Sequence, residues 1–80
     1  MKLSIFGANQ TVITIGNNEI FFSYDTPVAA FVSGIGYVRT EQKFSATTSK
    51  HINAWAGKNA ATKPQSFFDD FASDVTFKMH

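Results

Sequence analysis

The stretch Thr11-Val-Ile-Thr-Ile15-Gly-Asn-Asn-Glu-Ile20-Phe-Phe-Ser-Tyr24 decides the fold. Thr11 to Ile15 is β-branched at every position, a composition that suits a pleated surface. Gly16-Asn17-Asn18 combines the two residue types that tolerate positive φ, so the chain turns there. Ile20 to Tyr24 resumes as a strand, with Ile20, Phe22 and Tyr24 on one face and Phe21 and Ser23 on the other. Together these segments predict an antiparallel hairpin, and the rest of the domain is read outward from it.

Upstream, Lys2 to Phe6 is a short candidate strand. Downstream, Thr26-Pro27 interrupts, because proline lacks an N–H and pushes its predecessor into an extended shape. Val28 to Val32 resumes with Val28, Ala30 and Val32 facing one way and Ala29 and Phe31 the other. Gly34-Ile35-Gly36 is a flexible turn. Tyr37 to Phe44 reads as a further strand, and its Arg39, Glu41 and Lys43 mark it as a charge-guarded sheet edge.

The period then changes. Thr47 to Gly57 reads as a short helix, with Thr47 or Thr48 as N-cap, Ile52, Trp55 and Ala56 on one stripe, and Gly57 just past its end. Lys58 to Lys63 is a loop. Pro64 suits the first turn of a second helix, capped by Thr62 or Lys63, whose apolar face is Phe67, Phe68 and Phe71. Val75 to Phe77 reads as a last short strand or a docked tail. The predicted class is α+β: an antiparallel sheet of four to five strands with two short helices packed on one face. Trp55, Phe67, Phe68 and Phe71 would supply the helical part of the core. Ile13, Ile15, Phe22, Tyr24 and Val38 would supply much of the sheet part.

Eighty residues make one compact domain, 1–80, without repeats or linkers. A chain this short buries only about 60–65% of its unfolded surface. Nine Phe, two Tyr and one Trp compensate. The absence of cysteine removes disulfides, thiolate ligands and a thiol nucleophile, and fits a reducing cytoplasm. The apolar run Leu3-to-Phe6 is too short for a signal-peptide core or a membrane span, so a soluble cytoplasmic protein is predicted.

Net charge is only +1, but it is unevenly placed. Residues 1–38 sum to −1 (Lys2 against Glu19 and Asp25), residues 39–63 to +4, and residues 64–80 to −2. Arg39, Lys43, Lys50, Lys58 and Lys63 make the basic middle. Such a layout is either a set of solvated faces that differ in sign or a basic contact surface.

The candidate partner-binding residues lie in that middle: Arg39, Lys43, Thr47, Thr48, Ser49, Lys50 and His51. Ser45 to His51 is rich in hydroxyls at a predicted helix start, where free N–H groups and the helix dipole favour an anion. The plainer reading is that the hydroxyls cap the helix. His51, one turn before Trp55, could serve as a base or ligand, or simply pack. Asp69, Asp70 and Asp74 form a secondary acidic face, a solvated helix side or a face for a basic partner. Asp69 and Asp70 diverge by about 100° on a helix, so they are not a catalytic pair. Tyr24, Tyr37 and Phe44 could stack nucleobases, although aromatics on strands more commonly belong to the core. No serine has a G-x-S-x-G context, and His51 with Glu41 or the late aspartates lacks a metal-ligand spacing. No catalytic residue, metal or other cofactor is therefore expected.

One block stands out as a whole: Phe22-Ser23-Tyr24, Thr26-Pro27-Val28-Ala29, Tyr37-Val38-Arg39-Thr40-Glu41, Ser45, and Thr47-Thr48-Ser49-Lys50-His51-Ile52 with Trp55. It resembles a family of small uncharacterised bacteriophage proteins with the core FSY-x-TPVA … Y-x-R-T … S-x-TTSKHI-x-x-W. The resemblance covers roughly Thr11 to Trp55 and leaves residues 58–80 outside. It implies a phage setting, in which small single-domain proteins such as anti-CRISPR proteins bind and disable a host complex. The expectation is a non-enzymatic inhibitor of a host defence or takeover target, such as a CRISPR effector, acting by protein contact in the infected cell's cytoplasm. It would be a monomer or weak homodimer without membrane attachment. The alternative is a nucleic-acid or phosphate-ligand binding module using residues 39–50.

Overall fold

The structure is a computed structural model that describes the backbone of residues 2–78 and the side chains of residues 2–73. Six strands and two helices follow one another: β1 (Lys2–Gly7), β2 (Gln10–Ile15), β3 (Asn18–Ser23), β4 (Thr26–Val32), β5 (Gly36–Thr40), α1 (Ala46–Ala56), β6 (Ala61–Lys63) and α2 (Gln65–Lys78). The strands form one sheet in chain order, β1-β2-β3-β4-β5-β6. The first five are an antiparallel meander, and β6 joins β5 in parallel after the α1 crossover.

The predicted hairpin is present, with Ile13 opposite Ile20 and Thr11 opposite Phe22. Gly16 at its turn takes φ 57°, a left-handed conformation that glycine adopts without steric cost. The turn after β3 places Tyr24 at φ 57°, unusual for a bulky residue. Its N–H donates to the Asn9 carbonyl at 2.7 Å, so the β1–β2 and β3–β4 turns brace each other.

Several expectations are corrected. Thr26-Pro27 does not interrupt a strand, because Pro27 lies inside β4 at a β-bulge. Phe22 pairs with Pro27 and Phe21 with Ala29, leaving Val28 as the extra residue. A bulge tolerates the missing N–H. The strand expected over Tyr37–Phe44 stops at Thr40 and is not an edge, since Ala61–Lys63 pairs with it. Those three residues, expected as loop, make the sheet six-stranded and mixed where an antiparallel sheet of four to five strands is expected. The helix expected from Thr47 starts at Ala46 with Ser45 as N-cap, whose side chain accepts from the Thr48 N–H. Val75 to Phe77 are neither strand nor docked tail but the last turn of α2.

The largest correction concerns layering. Ile20 and Phe21 are neighbours on β3 and therefore point to opposite faces, yet both are fully buried. On the Phe21 face, Val12 and Ala29 pack with Ile52 of α1, and the Trp55 ring stacks on Phe21 at 5.0 Å. On the Ile20 face, Ile13, Ala30 and Val38 pack with Phe68 and Phe71 of α2. One helix covers each face, so the two do not share a side. The cause is visible in Ile20-Phe21-Phe22 and Val28-to-Val32, continuous apolar runs that fit strands covered twice. Tyr24 is expected in the core, but the bend after Ser23 turns it outward and it is 51% exposed.

Candidate functional site

Helix α1 sorts the polar segment into two sets. Its 3.6-residue period puts Thr48, His51, Ile52 and Trp55 toward the sheet and Thr47, Lys50 and Ala54 toward solvent. Thr48 is buried and its Oγ1 lies 3.3 Å from Ser45 Oγ and 3.2 Å from Ser23 Oγ. Ser23 Oγ also stands 2.8 Å from His51 Nδ1. These contacts form one chain, Ser45–Thr48–Ser23–His51, joining the cap of α1 to the end of β3. Burying hydroxyls this way requires partners, and each hydroxyl supplies the next.

A serine within 3 Å of an imidazole nitrogen is also the arrangement of an activated nucleophile. Here Ser23 is only 2% exposed. With α1 packed over it, a substrate has no approach to Oγ, and the pair acts as a tie between helix and sheet. Sequence reading missed Ser23, whose partners stand 25 and 28 residues away.

Arg39 points from β5 under the other end of α1. Its Nη1 donates to Asn53 Oδ1 at 2.6 Å and to the Gly57 carbonyl at 3.2 Å. A fixed cation at a helix C-terminus complements the negative dipole end and satisfies an orphan carbonyl. Arg39 is therefore engaged inside the fold.

The remaining predicted residues lie outward or on a cleft. Lys43, Thr47 and Lys50 are exposed, and Ser49 is half-buried. A cleft of about 480 Å³ opens between the β5–α1 segment, α1 and β6. Arg39, Lys43, Phe44, Ser49 and Thr62 are among its walls. Phe44, Tyr37 and Tyr24, expected more commonly in the core, are all among the exposed large side chains. Tyr37 is nonetheless fixed edge-to-face on Trp55 at 5.2 Å, and Tyr24 lies tilted against His51 at 6.0 Å.

The acidic face is on the other side of the sheet. Asp69 and Asp70 are exposed on α2. Asp69 Oδ1 accepts from Gln65 Nε2, which also donates to the Pro27 carbonyl at 2.7 Å. The Asp74 side chain and His80 lie outside the described residues. Lys63 belongs to this side too, with Nζ 6.0 Å from the centre of the Phe67 ring. Among the described residues no helix is long and apolar enough to cross a membrane. Nor does any group of three His, Asp or Glu among them stand close enough to hold a metal ion.

No curated protein and no solved structure matches this chain. A family model does, over residues 1–70. The match reaches beyond the Thr11–Trp55 block at both ends and takes in β1, β6 and the first turn of α2. With the whole sheet and α1 inside the matched span, the chain belongs to the family of unknown function DUF8033.

Proposed function

We propose that this chain is a non-catalytic binding protein that contacts a protein partner through the outward side of α1 and the segment leading into it. The observation that carries this is the sorting of the polar segment. Arg39, Thr48 and His51 have partners inside the fold, whereas Lys43, Thr47 and Lys50 are exposed, and Lys43 shares a cleft wall with exposed Phe44. Exposed aromatics are enriched at protein contacts, and a lysine beside one suits the polar rim of such a patch, where charge steers the encounter.

The same sorting argues against the nucleic-acid alternative. Of the five cations in residues 39–63, Arg39 is engaged and Lys63 lies on the α2 side. Lys43, Lys50 and Lys58 remain, too few for the salt-steep affinity of a protein that contacts many phosphates. In the phage setting implied by the resemblance, the partner is a component of a host defence or takeover complex, such as a CRISPR effector, met in the host cytoplasm.

The test is affinity capture from host lysate with and without nuclease, using the natural chain and a Lys43→Glu/Lys50→Glu variant. The expected result is a nuclease-resistant protein partner that the variant loses while keeping its circular dichroism. A nuclease-sensitive capture, or a variant that retains the partner, overturns the proposal.

A further inference from the structure

The two edges of the sheet are built differently. At one end β6 is only three residues long and ends on Lys63, a short edge of the kind that resists pairing. At the other end β1 pairs only with β2 in the sheet, runs regularly from Lys2 to Ile5 before a bulge at Phe6, and carries no proline and a single charge, Lys2. Its Leu3, Ile5 and Phe6 are 59%, 79% and 50% exposed. Single exposed apolar residues are ordinary. Three on one open strand, beside a row of unpaired backbone groups, form a template for another strand.

We propose that β1 is the dimerisation edge of this protein, pairing antiparallel with β1 of a second copy so that the two six-stranded sheets become one. The occupant follows from the strand's own pattern. In an isologous antiparallel pair, opposed residue numbers have a constant sum, and a two-fold axis normal to the sheet keeps like faces together. With Ser4 opposite its own symmetry mate, Leu3 falls opposite Ile5 of the second copy and Ile5 opposite Leu3. The exposed aliphatic side chains of both copies then meet on one face. The regular segment Leu3 to Ile5 is the self-paired part, Phe6 lies at the bulge beyond it, and no like charges oppose one another. The strand is complementary to itself in this register.

The four regular residues Lys2 to Ile5 at about 3.3 Å each give an edge of about 13 Å. Pairing two such edges and covering these side chains buries at most about 1,000 Å² in total, at or below the lower limit of a specific interface. The dimer is accordingly weak and concentration-dependent. Because the axis is normal to the sheet, both α1 helices lie on the same side of the joined sheet, and a partner displaying two sites would meet two binding surfaces at once.

The absence of cysteine makes the test clean. Directly opposed residues in an antiparallel pair have Cα atoms about 4.5–5.5 Å apart, within disulfide reach. The expected result is that Ser4→Cys forms an intermolecular disulfide at sub-millimolar concentration much faster than a Lys58→Cys control in the exposed turn after α1. Ile5→Lys, at an exposed position that leaves circular dichroism unchanged, should lower the dimerisation constant of the otherwise natural chain at least about tenfold in sedimentation equilibrium. It should also abolish the Ser4→Cys cross-link. A natural chain that sediments as a monomer at sub-millimolar concentration overturns the proposal, as does a Ser4→Cys rate no greater than the control's. A dimer indifferent to Ile5→Lys does the same.

Discussion

If α1 and α2 occupy opposite faces, perturbing one core should leave the other untouched, and a double-mutant cycle measures this directly. Ile52 is 3% exposed and packs on Val12, Phe21 and Ala29. Phe68 is fully buried against Ala30 and Val38. The two share no packing partner, and the sheet lies between them. Ile52→Ala removes three carbons from a nearly closed site, and the half-buried neighbours Trp55 and Ala56 allow some collapse, so a loss of about 3 kcal/mol is expected. Phe68→Leu keeps most of the volume and should cost about 1.5 kcal/mol. An 80-residue chain has roughly 4–12 kcal/mol to lose, so both single variants stay folded and the double is measurable in the upper part of that range. Urea unfolding at low micromolar concentration, where β1 pairing is negligible, gives the four free energies. Sites more than about 7–10 Å apart without shared partners add to within about 0.5 kcal/mol. Helices packed side by side on one face would share a core and couple by up to about 3 kcal/mol. A coupling above about 1 kcal/mol would refute the two-faced arrangement.

Arg39→Met removes the hydrogen bonds to Asn53 and Gly57 while keeping most of the aliphatic stem. It should lower stability by about 1–3 kcal/mol in urea unfolding, and a change below about 0.5 kcal/mol would return Arg39 to the pool of free ligands. Ser23→Ala leaves Thr48 and His51 short of a partner and should cost about 1–2 kcal/mol without affecting partner capture. Loss of binding at unchanged stability would show instead that the Ser23–His51 pair is functional. At Tyr24 the left-handed backbone decides. Tyr24→Asn should be neutral or stabilising by up to about 1 kcal/mol and Tyr24→Val destabilising by about 1–2 kcal/mol, and thermal melts that reverse this order would contradict the turn geometry.

The strands that announce themselves by composition are found where the residues place them. Thr11–Ile15 and Ile20–Ser23 are legible because branched and aromatic residues flank a Gly-Asn turn. Gly57 ends α1 as expected because its φ of 88° is one that glycine adopts without steric cost. What local pattern cannot carry is decided by distant partners. Ala61-Thr62-Lys63 has no strand signature of its own and becomes β6 only because β5 offers Val38 to Thr40 beside it. Val75 to Phe77 is β-prone in isolation, yet α2 runs through it. The side of the sheet a helix takes is not encoded in its own periodicity, so Ile52 and Phe68 looked like members of one core. At the candidate site, the hydroxyl-rich run and its helix were legible. The division into inward Thr48 and His51 and outward Thr47 and Lys50 depends on the helix phase set by Ile52 and Trp55 against Phe21. Ser23, which completes the buried chain, carries no local signal at all.

The two-faced arrangement also changes the meaning of the charge pattern. Had both helices packed on one side, the lysines near α1 and the aspartates of α2 would lie within about one Debye length, roughly 8–10 Å in physiological salt, and their fields would largely cancel. With the sheet between them, each layer adds about 10 Å, so the helix axes stand about 20 Å apart. The separation exceeds the screening length, and each face keeps its own balance: Lys43 and Lys50 against Glu41 on the α1 side, Asp69 and Asp70 against Lys63 on the α2 side. A net charge of +1 conceals this division. An acidic partner of the kind proposed would therefore be drawn more to the α1 side than to the α2 side before any contact formed. The buried sheet thereby turns a polarity along the chain into a polarity through the molecule.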